Sequence, residues 1–402
     1  MKQYINRRDF LKAAGVTAAA AALAGCGVTS GSTATASSTA ASSTAAAGKY
    51  DDVKADVTLT MSHQMAASHS INKTAEEFAR LVAEKSEGKM KVDVYSAATL
   101  GTETENLQAL TNGTLDLAVI AAEFYANYVD EAGCLCLPFV YSSYDDCAEK
   151  LAGEAGTTVA QMILDKTNVR ILDYYVLAFR QIFTTDKPLN TVDDMSGLII
   201  RIPDSSTYKE TFTQLGAAPT PVAWGETYTA LDTGLVSAVE NIPESIMSAS
   251  MQEVCKYVNV SNHIIGPTTI SVSEQVFQKL TEEQQNILTE AAKEACEFGL
   301  NATKDGSDAN FAALEGAGLE VVDTDVDSLK AKINYNRTVS GWKNCGDHRT
   351  PESPILHCHT GSPGTQIQTK PPTSAVQGIR SSRTEGKIKI IDITQKLSGR
   401  TT

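Results

Sequence analysis

The sequence predicts an α/β fold. Apolar runs with the length and composition of strands alternate along the chain with segments whose apolar residues have helical spacing. Such alternation is typical of parallel sheets that carry helices on both faces. The chain has 402 residues, 42% of them hydrophobic, which is enough for two or three domains.

The first predicted elements lie before residue 122. Two alternating strands flank a helix that Gly88 ends, and a second helix, broken at Asn112-Gly113, leads into a continuous apolar strand. In chain order the segments are strand 56–61, helix 71–82, strand 89–95, helix 103–110 and strand 115–121.

Further strands and one long helix are predicted after residue 168. The strands are segments 169–172, 176–179, 198–202 and 237–240. The sequence Thr281-Glu-Glu-Gln has the form of a helix start, because its first and last residues can cap the first turn. An apolar stripe follows at helical spacing and consists of Ile287, Leu288, Ala291, Ala295 and Phe298.

The N-terminus is typical of an export signal. A twin-arginine pattern, Arg7-Arg8-Asp9-Phe10-Leu11-Lys12, precedes a short apolar region, and Leu23-Ala24-Gly25-Cys26 resembles a lipobox. We predict a signal peptide at 1–25, acylation of Cys26 and an extracytoplasmic, lipid-anchored protein. An alanine-rich helix with a chance cysteine is the less favoured interpretation. Residues 26–50 are almost all Ser, Thr, Ala and Gly, which predicts a flexible tether.

The charge of the chain restricts its partners. The formal net charge is -14 and the pI is about 5.0, so no basic surface is present for nucleic acid. An acidic protein also repels an anionic ligand at long range. Local positive charge must then hold such a ligand, and Arg180 and Arg201 each follow or end an apolar strand.

Six motifs in a fixed order resemble one family. From residue 57 to about 332 the chain is similar to the extracytoplasmic solute-binding subunit of tripartite ATP-independent periplasmic (TRAP) transporters, the DctP type. The motifs are Leu100-Gly101-Thr-Glu103, Leu115-Asp116-Leu117, Leu137-Pro138-Phe139, Arg180-Gln-Ile-Phe-Thr-Thr, 197–203 and 219–241.

The resemblance implies a two-lobed fold like that of periplasmic binding proteins, with crossover strands and a hinge. Its domain organisation would place residues 51–177 and 267–305 in lobe I, and residues 178–266 and 306–343 in lobe II.

The resemblance also implies three residues that hold a ligand carboxylate. Arg201 would grip it with two parallel hydrogen bonds, because its planar fork matches a carboxylate. Arg180 would be a second positive contact, and Asn241 would add a hydrogen bond. The alternatives are a salt bridge of Arg201 to Asp194 or Asp204, a surface ion pair of Arg180, and a turn at Asn241.

Five further residues, and with less weight His63 and Gln64, are weaker candidates for the same site. The resemblance implies that Trp224 forms an aromatic wall and that Glu103 contacts polar groups of the ligand. Tyr228 lies one helical turn after Trp224. His69 lies on the loop after the first strand, together with His63 and Gln64, and Glu123 follows the strand 115–121. For Trp224 a place in the core is an equally good interpretation, and a loop histidine is more often only solvated.

The function implied by the resemblance is capture of a small organic acid and its delivery to TRAP membrane subunits. We expect a monomer without cofactor, metal or catalytic residues, since no nucleophile elbow, P-loop or dinucleotide pattern is visible. The alternatives are a receptor for a membrane sensor, an extracellular enzyme that uses Glu103 or Glu123 with His69, and an ABC-type binding protein.

Two segments stand apart from this interpretation. Residues 344–402 are rich in Ser, Thr, Pro and Gly, and we predict that they form a disordered tail. The tail is either a genuine extension or the product of a shifted reading frame, and we favour the shifted frame. Its cluster of Cys and His does not match a standard zinc spacing. Cys134, Cys136 and Cys147 are close in sequence, and we favour three buried thiols over a disulfide.

Overall fold

The computed structural model of the protein describes Tyr50 and residues 53–338. The predicted signal peptide, Cys26, the tether up to residue 49 and the tail from residue 344 lie outside the described residues. Among the residues described, no helix is both long enough and apolar enough to cross a membrane.

The described strands form one sheet. They are β1 (Val57–Ser62), β2 (Met90–Tyr95), β3 (Leu117–Ala121), β4 (Val169–Thr184), β5 (Ile199–Ile202), β6 (Ala218–Pro221), β7 (Ala238–Asn241), β8 (Tyr257–Ser273) and β9 (Glu320–Asp323). Their order in the sheet is β2-β1-β3-β8-β4-β7-β5-β6, and β9 pairs with β8.

Helices connect these strands. The α-helices of the described residues are α1 (Ser70–Lys85), α2 (Glu103–Asn112), α3 (Ala122–Tyr125), α4 (Tyr144–Ala152), α5 (Glu154–Thr167), α6 (Ser206–Gln214), α7 (Thr227–Asp232), α8 (Pro243–Ser248), α9 (Glu274–Phe277), α10 (Glu282–Gly316), α11 (Val326–Lys330) and α12 (Tyr335–Thr338). Short 3-10 helices lie at Asp130–Cys136, Val192–Met195, Trp224–Glu226 and Met251–Glu253.

The sheet is mixed, so the prediction of parallel pairing is correct only in part. β1 pairs in parallel with β2 and β3, and β5 does so with β6 and β7. β3 and β4 both pair antiparallel with β8, and β4 pairs antiparallel with β7. The prediction failed at β8 because this strand, which polar residues interrupt, was not recognised.

β4 and β8 run through both halves of the sheet. They have 16 and 17 residues, and the end of β8 pairs with β3 while its start pairs with β9. The two strands predicted at 169–172 and 176–179 are therefore one strand. Arg180 lies inside it and not after its end, which corrects the prediction. The register shifts between Ile171 and Asp173 and between Val176 and Phe179, so irregular pairing absorbs the break in the apolar pattern.

The predicted long helix is confirmed as α10. Thr281 and Gln284 form the reciprocal capping hydrogen bonds at its start. Leu288, Ala291 and Ala295 are fully buried, as the stripe predicts, but Phe298 is 42% exposed and was wrongly placed there. Its neighbour Gly299 is buried where α10 packs closely on α1 and β4.

The apolar core is continuous across the predicted lobe boundary. One cluster joins residues of the first half, among them Leu107 and Val159, to residues of the second half, among them Ile200 and Phe212. A second cluster lies between α1, α10 and strands β1 to β3, and a third surrounds β7 and Met251. The division into the two lobes given above stays a prediction.

Candidate functional site

A cavity lies where the ends of β1, β3, β5 and β7 approach the middle of β4. It encloses about 520 Å³ of space between atoms, part of it open to solvent. An adjacent cavity of about 760 Å³ shares five of its lining residues, Gln64, Glu103, Phe124, Arg201 and Trp224. Of the candidate residues, Arg180, Arg201, Asn241, Trp224, Glu103 and Glu123 line the first cavity.

Arg201 is buried, and no carboxylate of the described chain contacts it directly. Its side chain belongs to β5, is 4% exposed, and donates from Nε to the Val222 carbonyl at 2.9 Å. In the described part of the chain no carboxylate lies within 4.0 Å of its nitrogens, so the salt bridge to Asp194 or Asp204 is not formed. Burial lowers the pKa of Arg201 to about 10, because a charge is costly there. Trp224 covers the guanidinium at 5.4 Å from its ring centroid.

Arg180 is buried with its charge already paired. Its Nη2 donates to Glu240 Oε1 at 2.8 Å and its Nε donates to Oε2 of the same carboxylate. Its Nη1 makes no hydrogen bond among the described residues and lies 3.8 Å from Glu123 Oε1. Burial opposes the charge, but Glu240 outweighs it and holds the pKa of Arg180 well above its usual value. Arg180 thus lines the cavity with one nitrogen, Nη1, that makes no hydrogen bond among the described residues, and not with an open fork.

Asn241 is the last residue of β7 and presents an amide donor. Its Oδ1 accepts from the Ile242 backbone N–H at 2.8 Å, while its side-chain nitrogen has no partner among the described residues. The side chain lines the cavity and is 8% exposed. An amide N–H in this position is suited to a ligand oxygen.

Two buried carboxyl groups lie on the same cavity. Glu103, the first residue of α2, accepts hydrogen bonds from the Ala121 backbone N–H and from Gln64. Burial, and then the charge of Glu123, raise the pKa of Glu103 to about 8. Burial also raises the pKa of Glu123, whose Oε2 has no hydrogen-bond partner among the described residues.

The remaining candidates divide between the cavity and other contacts. Trp224 lines both cavities and also packs against the core, so its place in the core is confirmed and its role as a wall of the ligand site stays a prediction. Tyr228 is not a lining residue, because its hydroxyl points to Glu253 and donates to it at 3.2 Å. His69 is fully buried and does not line the cavity either. It caps α1 by accepting from the Ile71 backbone N–H, and its Nε2 lies 3.0 Å from Ser245 Oγ.

Sequence reasoning missed Glu240. This fully buried acid pairs with Arg180, and its Oε2 lies 3.4 Å from His263 Nε2. Burial alone would raise the pKa of Glu240, but Arg180 and His263 hold it below the usual value. A signal was available, because an acid inside an apolar strand needs a buried cation, and the motifs contain two arginines, Arg180 and Arg201, although their spacing does not show which one pairs with Glu240.

The described residues contain no group of three or more His, Cys, Asp or Glu side chains placed to hold a metal ion. The tail cluster of Cys and His falls outside them. The five described cysteines, including Cys134, Cys136 and Cys147, are buried and free, as we favoured. Burial raises the pKa of each of these three thiols.

Comparisons with known proteins place the chain in a family. A model of the family described as "Bacterial extracellular solute-binding protein, family 7" matches residues 61–339, and one of the twin-arginine translocation pathway signal sequence matches residues 5–24. A solute-binding protein of Chromohalobacter salexigens is 31% identical over 258 residues, 64% of this chain and 76% of that protein.

Two solved structures extend the comparison. A TRAP periplasmic solute-binding protein from a Bradyrhizobium species, in complex with galacturonate, is 30% identical with a TM-score of 0.66, and the match covers 70% of this chain and 94% of that one. One from Roseobacter denitrificans, with bound L-galactonate, is 26% identical with a TM-score of 0.66 over 69% and 92% of the two chains. The predicted two-lobed α/β fold is thereby confirmed.

Proposed function

Since the chain belongs to the bacterial extracellular solute-binding proteins of family 7, we propose that it captures a small organic acid outside the cytoplasm for a TRAP transporter. The observation that carries this proposal is Arg201, a buried cation that lines a cavity and has no carboxylate partner in the described chain. A buried charge of this kind is stabilised when an anion reaches it. The ligand carboxylate is that anion.

The geometry supports unequal roles for the three carboxylate-binding residues. Arg201 supplies the positive charge for the ligand carboxylate, because no acidic side chain of the described residues is hydrogen-bonded to its guanidinium group. Asn241 adds a neutral donor, and Arg180 contributes only Nη1. Hydrogen bonds to charged groups contribute about 1.5–3 kcal/mol each. Three or four of them supply much of the ~8 kcal/mol that micromolar affinity requires.

Closure of the two lobes around the ligand would bend β4 and β8. These strands pass through both halves of the sheet, and their mutual register shifts between Val176 and Phe179 and again after Arg180. Irregular pairing tolerates bending better than a regular ladder does. The predicted lobe boundaries, at 177/178 and 266/267, lie in this segment. We place the hinge there, with the ligand bridging the two lobes and stabilising the closed state. The ligand is released chemically unchanged.

The site of action is proposed to be the outer face of the membrane. The match to the twin-arginine signal, together with the family, indicates export. Beyond that, Leu23-Ala24-Gly25-Cys26 supports cleavage before Cys26 and its acylation. The lipid would keep the receptor beside the TRAP membrane subunits. Mass spectrometry of the purified native protein tests this: Cys26 should carry acyl chains, and Cys26→Ser protein should leave the membrane fraction.

Calorimetry on the mature protein tests the binding function. A panel of hexonates, uronates, keto acids and C4-dicarboxylates is titrated into the ligand-free protein. At least one acid should bind with micromolar or better affinity, and Arg201→Ala should abolish it. Arg201→Lys should also bind poorly, since an ammonium lacks the fork. Binding of the acid at wild-type affinity by either variant would refute the assignment. Recovery of the ligand after long incubation tests the absence of chemistry.

A further inference from the structure

Two adjacent residues at the start of α1 contact two adjacent residues of α8. Glu244 accepts hydrogen bonds from the Ser70 backbone N–H at 2.8 Å and from Ser70 Oγ at 2.6 Å. His69 Nε2 lies 3.0 Å from Ser245 Oγ. These partners are 174 to 176 positions apart in the sequence. The start of α1 belongs to the predicted lobe I and α8 to the predicted lobe II, so the contact joins the two lobes.

The cap of α1 decides which nitrogen of His69 carries the proton. Its Nδ1 accepts a hydrogen bond from the Ile71 backbone N–H at 3.1 Å, so the proton of the neutral ring lies on Nε2. Burial lowers the pKa of His69, which keeps the ring neutral at pH 7. The Nε2–H group therefore donates to Ser245 Oγ, and it lies 3.9 Å from Glu244 Oε2.

Glu244 occupies the N-terminus of α1 from outside the helix. The first turn of α1 has no acidic residue of its own. The backbone N–H groups at such an end have no partner within the helix and carry partial positive charge. The carboxylate of Glu244 meets this charge with two hydrogen bonds, and its side chain is only 23% exposed. Hydrogen bonds to an ionised acceptor are stronger than those between neutral groups. A charged contact thus ties α8 to α1.

The contact lies at the edge of the first cavity. Ile71 of α1 and Ser245 of α8 both line that cavity. Arg201 and Asn241, which line it as well, are 4% and 8% exposed. The structure therefore has the conformation in which the lobes enclose the site. Any opening that separates α1 from α8 must break the hydrogen bonds of Glu244.

We propose that Glu244 is a latch, which together with Ser70 holds the conformation that encloses the ligand and thereby slows ligand release. This rests on the proposed function, since a latch acts on a bound ligand, and on the predicted lobes. Glu244 lines neither of the two cavities described above, so it is a positioning residue that acts on the ligand only through the lobes. Other contacts hold the ligand itself, so the latch changes how long the ligand stays more than how fast it enters.

Stopped-flow kinetics on the mature protein test the latch. Tryptophan fluorescence gives the signal, because Trp224 lines the cavity. The probe is D-galacturonate, a uronate of the calorimetric panel, or the tightest binder of that panel if D-galacturonate does not bind. Glu244→Ala should release the acid about 10-fold faster, which corresponds to ~1.4 kcal/mol. Its association rate constant should change little. Glu244→Gln keeps the shape and one acceptor oxygen, so its release rate should lie between those of the wild type and Glu244→Ala.

Glu226→Gln is the matched control. It removes a negative charge from an exposed acid of the same predicted lobe that lines neither cavity. Its rates report the long-range effect of that charge on an anionic ligand, which would favour binding and not release.

A double-mutant cycle tests the partnership of Ser70 and Glu244. Ser70→Ala removes the hydroxyl donor and should speed release several-fold. In the double variant Ser70→Ala/Glu244→Ala, release should be no faster than in Glu244→Ala alone, because both changes remove the same contact. Single effects that multiply in the double variant would show two independent residues and overturn the partnership.

Urea denaturation of the same variants separates a latch from a residue that only stabilises the fold. A purely structural role would lower the free energy of unfolding and leave the dissociation rate constant unchanged. If Glu244→Ala fails to fold, Glu244→Gln and Ser70→Ala decide the question. Release from the folded Glu244 variants at the rate of Glu226→Gln overturns the latch while the organic-acid function stands. Failure of every acid in the panel to bind overturns the proposed function and the latch with it.

Discussion

Arg180 and Arg201 are both buried, but replacing each by a neutral residue should change the free energy of unfolding by very different amounts. Arg180 has Glu240 as its partner, whereas Arg201 has only the Val222 carbonyl and the face of Trp224. We consider Arg180→Met and Arg201→Met, because methionine is unbranched, apolar and adaptable in buried sites.

The cost of the Arg201 charge follows from its pKa. Burial lowers that pKa from 12.5 to about 10. At ~1.4 kcal/mol per unit, the folded protein loses about 3 kcal/mol by keeping the group charged at pH 7. Methionine removes this cost but also removes one hydrogen bond of about 1 kcal/mol and a cation–π contact of about 1 kcal/mol. The ligand-free Arg201→Met variant should therefore be about as stable as the wild type or roughly 1 kcal/mol more stable.

Arg180→Met should instead be strongly destabilised. It leaves Glu240 fully buried without its cation. Breaking a buried pair from one side costs about 3–5 kcal/mol.

Urea denaturation of the ligand-free proteins measures both free energies of unfolding, and calorimetry with the best-binding acid measures the function. We expect Arg201→Met to keep its stability while losing binding, so the ligand no longer raises its melting temperature. The reasoning is refuted if Arg201→Met is destabilised as much as Arg180→Met. That result would mean that an internal acid neutralises Arg201 in solution.

Three further predictions concern packing and protonation. Gly299→Ala should lower the free energy of unfolding by about 1–3 kcal/mol, because the added Cβ would lie 2.8 Å from Thr74 Oγ1. Gly306→Ala on the same helix is the control: its Cβ would lie 3.6 Å from the nearest atom, Asn310 Nδ2, so it should be neutral or stabilising by up to about 1 kcal/mol. Burial lowers the pKa of His63 to about 4, so the free energy of unfolding of the wild type should fall by up to about 3 kcal/mol as the pH falls from 6.5 to 4. In His63→Gln this free energy should fall less. Equal pH dependence in the two proteins would argue against a buried neutral ring. Glu103 has a pKa raised to about 8, so it should lose its proton between pH 7 and 9, and the resulting negative charge should weaken binding of the acid. Calorimetry should show that affinity changes less with pH in Glu103→Gln than in the wild type. A wild-type affinity that does not change between pH 7 and 9 would contradict this.

Much of the local structure was predictable from the residues. The capping pattern and apolar stripe of Thr281 onward led to α10, and strands β1, β2, β3, β5 and β7 lie within two residues of their predicted bounds. β8 was missed because Asn259, Ser261 and His263 interrupt its apolar pattern, and the hydrogen bonds that satisfy these side chains form only in the folded sheet. Asn259, for example, donates to the Ile182 carbonyl on β4.

The candidate site was predictable as a set of residues but not as a set of charges. Six of the eight candidates line one cavity, whereas His69 caps a helix and Tyr228 bonds to Glu253. Loop position and helical spacing do not report the direction of a side chain, so these two assignments had no geometric basis.

The sequence alone determined the class of fold, the order of the motifs and the presence of two arginines next to apolar runs, because apolar period and turn chemistry are local properties. Only the tertiary structure decided that Glu240 neutralises Arg180 and that Arg201 is left with a carbonyl and an aromatic ring. The first pairing joins residues 60 positions apart in the sequence, and the second reflects the absence of an acid in direct contact with Arg201. The free energy of a buried charge is set by what surrounds it, and that surrounding exists only after β4, β5 and β7 have paired in one sheet.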